Sequence, residues 1–131
     1  MALNLLLVDD SATVRSLIKK CIEMASFSVN EIYEANHGKE ALEIIENSWI
    51  DVVFTDINMP EMNGVEFIEA LKEQGKLQDF PVIVVSTEGS QTRIEELKAM
   101  GIKGYLRKPF TPEQIKEIIE QVTGVRDVDG N

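Results

Sequence analysis

The stretch Val52–Phe67, VVFTDINMPEMNGVEF, places one aspartate, Asp56, directly after a short run of β-branched and apolar residues. Such a run is typical of a buried strand, whereas the segment that follows it is rich in turn and capping residues. An unpaired carboxylate is costly in an apolar interior. We therefore expect Asp56 to lie in a polar cluster at the end of this strand.

Apolar runs alternate along the chain with segments of helical period, so the sequence predicts five strands, each followed by a helix. The predicted strands are Leu3–Val8, Ser28–Glu34, Val52–Thr55, Pro81–Val85 and Gly104–Arg107, of which the second suits an edge. Capping boxes and C-terminal glycines mark the helix ends. These are Asn63 with Glu66, Thr111 with Pro112 and Gln114, and Gly75, Gly101 and Gly124.

Strict strand–helix alternation predicts an α/β fold with a doubly wound parallel sheet and helices on both faces. In such sheets, sites form beyond the carboxyl ends of the strands. Polar residues stand at these ends in four of the five strands. They are Asp9, Asp10, Asp56, Ser86, Thr87 and Lys108, the last followed by Pro109. We expect these groups to converge on one rim of the sheet.

Composition limits the possible partners. The 131 residues suit one domain with an ordinary core, and no repeat or linker interrupts them. The net charge of −10 argues against binding to nucleic acid or to anionic membranes, which need a positive surface. The single cysteine, Cys21, falls on an apolar helix face, and the run LNLLLV is too short for a signal peptide. A soluble cytoplasmic protein is expected.

Three carboxylates and one lysine at a common rim favour phosphoryl chemistry. Clustered acids raise one another's pKa unless a cation compensates, and oxygen ligands that leave room for water suit Mg²⁺. We expect Asp9, Asp10 and Asp56 to hold that ion. Asp56 is the candidate nucleophile, with the Lys108 ammonium and the Ser86 hydroxyl offsetting charge on the transferring group.

Each residue also has a structural interpretation when taken alone. Asp10 or Ser11 can cap the first helix, and Lys108 can be a solvated charge; their shared location favours a site. A calcium loop in DINMPEMNG is unfavoured because Pro60 stands where an oxygen ligand is needed. His37 is expected to be a surface imidazole without a role.

Four motifs together resemble the response-regulator receiver family, and most closely its single-domain, chemotaxis-type members. They are the DD of Asp9–Asp10, the D-x-N-x-P-x-x-x-G of Asp56–Gly64, the hydroxyl of Ser86, and GYLRKPF of Gly104–Phe110. The resemblance covers about residues 4–123. It implies a flavodoxin-like (βα)5 fold with strand order 2-1-3-4-5, a receiver domain over residues 1–124 and a disordered tail over residues 125–131.

The resemblance also implies a mechanism. Asp56 would accept a phosphoryl group from a sensor histidine kinase, while Asp9, Asp10, Asp56 and the backbone carbonyl of Asn58 organise Mg²⁺. Lys108 would contact the phosphoryl group beside a cis peptide to Pro109.

Ser86 and Tyr105 would then switch the surface of the fourth helix, fifth strand and fifth helix, where a protein such as a flagellar-motor switch docks. Such a protein would be a monomer that catalyses only its own phosphorylation and dephosphorylation, and a separate phosphatase is a possible further partner.

Asn58 and Glu88 correspond to the positions that tune dephosphorylation in this family, and their polarity predicts a short-lived aspartyl phosphate. Four alternatives stay open: a phosphate sink, a regulator outside chemotaxis, an FMN carrier, and an aspartate-nucleophile phosphohydrolase. Asp9 and Asp10 would repel the phosphate of FMN, and Asn58 stands where the phosphohydrolases usually have a second acid.

Overall fold

In a computed structural model, which describes residues 2–25 and 27–124, five strands alternate with five helices. The strands are β1 Leu3–Val8, β2 Val29–Ala35, β3 Val52–Thr55, β4 Val82–Ser86 and β5 Gly104–Arg107. The helices are α1 Ala12–Met24, α2 Gly38–Asn47, α3 Gly64–Glu73, α4 Gln91–Met100 and α5 Pro112–Thr123. The predicted tail, residues 125–131, lies outside the described residues.

The strand predictions are confirmed for β1, β3 and β5, whereas β2 and β4 begin and end one residue later than predicted. For β4 the reason lies at both ends. Pro81 has no N–H to donate to a ladder, and Ser86 pairs with Arg107 of β5. The shift makes Ser86 the last residue of a strand and fixes its position at the rim.

All strand pairs are parallel, and the strand order is β2-β1-β3-β4-β5, which confirms the predicted flavodoxin-like fold. β1 and β3 are neighbours, with Val8 opposite Thr55. This register brings the residues that follow the two strands, Asp9 and Asp56, to the same edge.

The core has two layers, one on each face of the sheet. Side chains alternate along β1, so Leu6 and Val8 pack toward α2, α3 and α4, while Leu5 and Leu7 pack toward α1 and α5. Cys21 is buried in the second layer, as predicted. Because both faces are covered, the sheet is a rigid platform for the groups at its rim.

Side-chain caps fix where the helices begin. Asn63 with Glu66 and Thr111 with Gln114 form the two predicted capping boxes. Ser11 caps α1. The prediction that His37 is a surface imidazole without a role is wrong: it is partly buried and caps α2, where its Nδ1 accepts a hydrogen bond from the Glu40 N–H. Among the described residues, no helix is both long and apolar enough to cross a membrane.

Candidate functional site

The acidic residues are placed by backbone hydrogen bonds that continue the sheet beyond its strands. The Asp9 N–H donates to the Ala35 carbonyl at 3.1 Å, and the Asp56 N–H donates to the Val8 carbonyl at 2.9 Å. Both residues are buried, with Asp9 3% and Asp56 9% exposed. The first residue after each of two neighbouring strands is therefore a fixed carboxylate.

Lys108 lies between these carboxylates. Its Nζ is 3.0 Å from Asp9 Oδ2 and 3.3 Å from Asp56 Oδ2. The Lys108 N–H also donates to the Ser86 carbonyl at 2.8 Å, which ties the lysine to the end of β4, and its peptide bond to Pro109 is cis. One ammonium thus offsets part of the charge of two buried acids.

Backbone amides orient the same two carboxylates. The Ile57 N–H donates to Asp56 Oδ1 at 2.7 Å, and the Ser11 N–H donates to Asp9 Oδ1 at 2.9 Å. Each side chain therefore uses one oxygen for the backbone and turns the other toward Lys108. Amide donors of this kind lower the energetic cost of a buried charge.

The electrostatics of the site balance burial against these partners. Burial raises the pKa of Asp56 above its ordinary value, although the Lys108 charge and the Ile57 N–H act in the opposite direction. For Lys108, burial lowers the pKa, but the hydrogen bond to Asp9 and the two nearby carboxylates outweigh it and raise the pKa overall. Additional positive charge near Asp56 would therefore stabilise the ionised form of its carboxylate.

Asp10 completes an oxygen cluster with the two buried acids. One carboxylate oxygen from each of Asp9, Asp10 and Asp56 lies within 4.8 Å of the other two, and Asp10 is exposed. Mg²⁺ binds carboxylate oxygens where the site leaves room for several of its waters, and the exposed Asp10 keeps one side of this cluster open to solvent. The residues present fit a bound Mg²⁺.

Gly64 allows the loop after Asp56 to fold back on the site. A Cβ at this position would lie 2.2 Å from the Asp56 carbonyl oxygen and 2.7 Å from the Ile57 Cα. The Gly64 N–H donates to the Ile57 carbonyl at 2.7 Å. The glycine of the D-x-N-x-P-x-x-x-G motif is therefore required by close backbone approach at the start of α3.

The remaining predicted residues surround the cluster: Ser86 ends β4, Tyr105 lies in β5, and Asn58 and Glu88 lie on loops. Ser86 is fully buried, and its Oγ accepts a hydrogen bond from the Glu88 N–H at 3.2 Å. The Tyr105 hydroxyl donates to the Glu88 carbonyl, so Ser86 and Tyr105 both contact Glu88. Asn58 is exposed on the loop after β3.

Arg15 is a residue of the site region that the sequence did not indicate. Its Nη1 donates to the Asp9 carbonyl and to Asn36 Oδ1, the latter at 3.1 Å, while its Nε pairs with Glu34 at 2.9 Å. Asp9 is 25 residues before Glu34 and 27 before Asn36, so Arg15 joins two distant segments of the chain. No local motif in the sequence marks Arg15, because its contacts depend on how α1 packs beside the carboxyl ends of β1 and β2.

Comparison with known proteins identifies the family. The model of the response regulator receiver domain matches residues 5–120. A chemotaxis protein CheY homologue of Campylobacter jejuni is 38% identical over 129 residues, covering 98% of each chain, and CheY1 of Helicobacter pylori is 36% identical over 126 residues, covering 95% of this chain and all of the relative. The solved structure of CheY4 of Vibrio cholerae superposes with a TM-score of 0.82 at 34% identity, covering 93% of this chain and 99% of that one. The chain belongs to the response regulator receiver domain family.

Proposed function

We propose that this chain is a stand-alone phospho-acceptor of a two-component system of the chemotaxis type. The observation that carries the proposal is the position of Asp56, a buried carboxylate 3.3 Å from the Lys108 ammonium and grouped with Asp9 and Asp10. The relatives with the same extent of chain are chemotaxis proteins by name. By this proposal the chain is not an enzyme for external substrates, and it catalyses only its own phosphorylation and dephosphorylation.

The phosphoryl group moves from a histidine of a sensor kinase to Asp56. A carboxylate oxygen of Asp56 forms a bond to phosphorus as the bond from phosphorus to the donor nitrogen breaks, and the imidazole leaves with that electron pair. The Ile57 N–H fixes the carboxylate plane, so the nucleophile is oriented before the donor arrives. Lys108 moves its contact from the carboxylates to the new phosphoryl oxygens.

Asp9, Asp10, Asp56 and the backbone carbonyl of Asn58 would hold Mg²⁺. Bound there, Mg²⁺ supplies positive charge that offsets the charge developing on the transferring phosphoryl oxygens. The acidic cluster supports this part of the proposal, because three carboxylates lie together and burial disfavours the charge of Asp56, which the Lys108 ammonium offsets only in part.

Phosphorylation is communicated through Ser86 and Tyr105. The added charge draws the Ser86 hydroxyl toward the phosphoryl oxygens, which weakens its hydrogen bond with the Glu88 N–H. Tyr105, bonded to the carbonyl of the same Glu88, then changes position and alters the surface formed by α4, β5 and α5. Serine can make the same hydrogen bond as threonine but vacates less volume, so the strength of the coupling to Tyr105 is left to experiment.

The altered surface would bind a downstream protein in the cytoplasm, such as a flagellar-motor switch or another effector. A chain that acts only as a phosphate sink would carry the same site without that output. Binding of the phosphorylated and unphosphorylated protein to a candidate effector separates the two, because a sink shows no difference between them.

Asn58 and Glu88 flank the path by which water reaches the aspartyl phosphate. Asn58 is exposed and Glu88 is half-buried, so neither seals the site. Rapid hydrolysis is expected, and Asn58→Met should lengthen the phosphoryl lifetime several-fold because a bulky apolar side chain hinders an in-line water. A phosphatase would shorten the lifetime further.

The test of the function is labelling with acetyl phosphate and Mg²⁺. One acid-stable, base-labile phosphoryl group should appear on Asp56, with acetate as the leaving group, and Asp56→Asn should abolish it. Asp51→Asn, at the other end of β3, is the matched control and should retain the label. Label that persists in Asp56→Asn, or that lies on Ser86 or His37, would overturn the proposal.

A further inference from the structure

The loop between β4 and α4, residues 87–90, is held by side chains from outside it. The Tyr105 hydroxyl donates to the Glu88 carbonyl, and Arg93 Nε lies 3.6 Å from Glu88 Oε1. At the start of the loop, the Glu88 N–H is bonded to Ser86 Oγ. The loop thus connects the buried hydroxyl of the site to the exposed end of β5.

Gly89 and Arg107 make a further contact that the proposed mechanism does not use. A Cβ at Gly89 would lie 2.7 Å from Arg107 Cζ, 2.8 Å from its Nη1 and 2.9 Å from its Nε. Three guanidinium atoms therefore occupy the volume over Gly89 that any larger residue would fill. The planar guanidinium lies directly against the backbone of the loop.

Tyr105 and Arg107 are two residues apart on β5, so their side chains project from the same face of the sheet. Tyr105 holds Glu88, and Arg107 covers the next residue of the loop, Gly89. Because Ser86 is opposite Arg107 in the sheet register, the contacts of Tyr105 and Arg107 with the loop lie beside the buried hydroxyl of the site.

We propose that Arg107 is a positioning residue, whose guanidinium packs across Gly89 and holds the 87–90 loop in the geometry in which Glu88 binds Ser86. The inference rests on the proposed function, since its consequence concerns phosphorylation of Asp56. Movement of the Ser86 hydroxyl toward a phosphoryl group requires the Glu88 N–H bond to weaken. A loop held by Arg107 opposes that movement, so Arg107 restrains phosphorylation of the resting protein.

Two substitutions remove the contact from opposite sides. Arg107→Ala deletes the guanidinium, and Gly89→Ala fills its place with a methyl group. The Gly89 variant displaces the end of a flexible side chain rather than the backbone, and it leaves every charge in place. Lys103→Ala, an exposed residue just before β5, is the matched control for the loss of one positive charge.

Amide exchange of residues 87–90 in the unphosphorylated protein tests the contact without reference to Asp56. Arg107→Ala and Gly89→Ala should each raise the exchange rate several-fold, and the double variant should raise it no further, because both remove one interaction. Arg107→Lys should not restore protection, since an ammonium lacks the flat guanidinium surface. Additive effects, unchanged exchange or rescue by lysine would overturn the proposal.

The rate of phosphorylation by acetyl phosphate tests the consequence. Each single variant and the double variant should be phosphorylated about fivefold faster than the wild type, while Lys103→Ala should match the wild type. Faster exchange with an unchanged phosphorylation rate would overturn the role of Arg107 and leave the proposed function intact. A wild-type chain that takes no label on Asp56 would instead overturn the proposed function, and this inference with it.

Discussion

β3 has an aspartate at each end, and the two carboxylates are used in opposite ways. Asp51, before the strand, accepts hydrogen bonds from the Asn4 N–H at 2.7 Å and from Trp49 Nε1 at 3.0 Å. Asp56, after the strand, is buried beside Asp9 and faces Lys108. The hydrogen bonds of Asp51 pair its carboxylate with donors from the protein. Asp56 instead belongs to a cluster in which three carboxylates face one ammonium.

The edge of the sheet where the strands end, the carboxyl rim, also differs from the edge where they begin, the amino rim, in the polarity of its buried side chains. Among the described residues, the buried polar side chains all lie at the carboxyl ends of strands: Asp9, Thr55, Asp56 and Ser86. At the amino end the large aromatic side chain of Trp49 is 77% exposed. Burying polar groups at the carboxyl rim costs stability, whereas the contacts of Asp51 at the amino rim satisfy backbone and side-chain donors of the fold.

The largest difference between the rims should appear in the rate of phosphorylation when a lysine is removed from each. Lys108→Ala should slow phosphorylation by acetyl phosphate about 100-fold, or about 2.7 kcal/mol, because the transferring oxygens lose their ammonium. Lys103→Ala, at the amino rim, should leave the rate unchanged. Initial rates measured with saturating Mg²⁺ decide this, and equal rates in the two variants would remove Lys108 from the mechanism.

Glycines provide a second comparison, in stability. Gly64→Ala should lower the free energy of unfolding by about 2 kcal/mol. The new Cβ would clash with backbone atoms, which cannot rotate away as a side chain can. Gly75→Ala, at the amino rim, has nothing within 4 Å of its Cβ and a φ of 71°, so its cost should be about 1 kcal/mol and purely conformational.

Urea denaturation measures both glycine variants, and Asp56 phosphorylation provides the second readout. Gly64→Ala should also slow phosphorylation because the clash is with the Asp56 backbone, whereas Gly75→Ala should not. A Gly64 variant as stable and as reactive as the wild type would show that the close approach is unimportant.

Metal affinity gives a third comparison. Asp10→Asn should weaken Mg²⁺ binding about tenfold, because one of three carboxylates is lost, while Asp79→Asn at the amino rim should have no effect. Titration calorimetry is the suitable measurement, since Trp49 lies at the far rim and its fluorescence reports poorly on the site. Equal affinities in the two variants would place the ion elsewhere.

Sequence patterns predicted the features that depend on residues close together in the chain. The bounds of β1, β3 and β5, both capping boxes and the residues of the rim follow from periodicity, helix signals and the rule for parallel sheets. The errors in β2 and β4 are single residues at strand ends, where pairing with a neighbour decides the limit.

Contacts between distant elements could not be predicted in the same way. Arg15 reaches Asp9, Glu34 and Asn36 across a helix, a strand and a loop, and Arg107 covers Gly89 from another strand. Each depends on the tertiary arrangement and on the rotamer of a long side chain. Neither arginine belongs to a motif or a periodic pattern, so a single sequence gives no sign of these contacts.

The smallest effect is expected at the outer edge of the carboxyl rim, where Glu34 Oε1 pairs with Arg15 at 2.9 Å and its Oε2 pairs with Lys19 at 3.1 Å. The hydrogen bond from Arg15 lowers the pKa of Glu34 below its ordinary value of 4.5. The folded state therefore favours the ionised carboxylate. Its contribution to stability is complete above pH 4.5 and is lost as the pH falls through the lower pKa of the folded state.

Glu34→Gln should accordingly lower the free energy of unfolding by about 0.5 kcal/mol at pH 7, a small value because the pair is partly exposed to solvent. The difference from the wild type should shrink as the pH falls below 4.5. Glu31→Gln, on the same strand and exposed, is the control and should have no effect at either pH. Urea denaturation at pH 7 and at low pH measures both variants. A loss in Glu34→Gln that is the same at both pH values would show that the side chain contributes by packing and not through its charge.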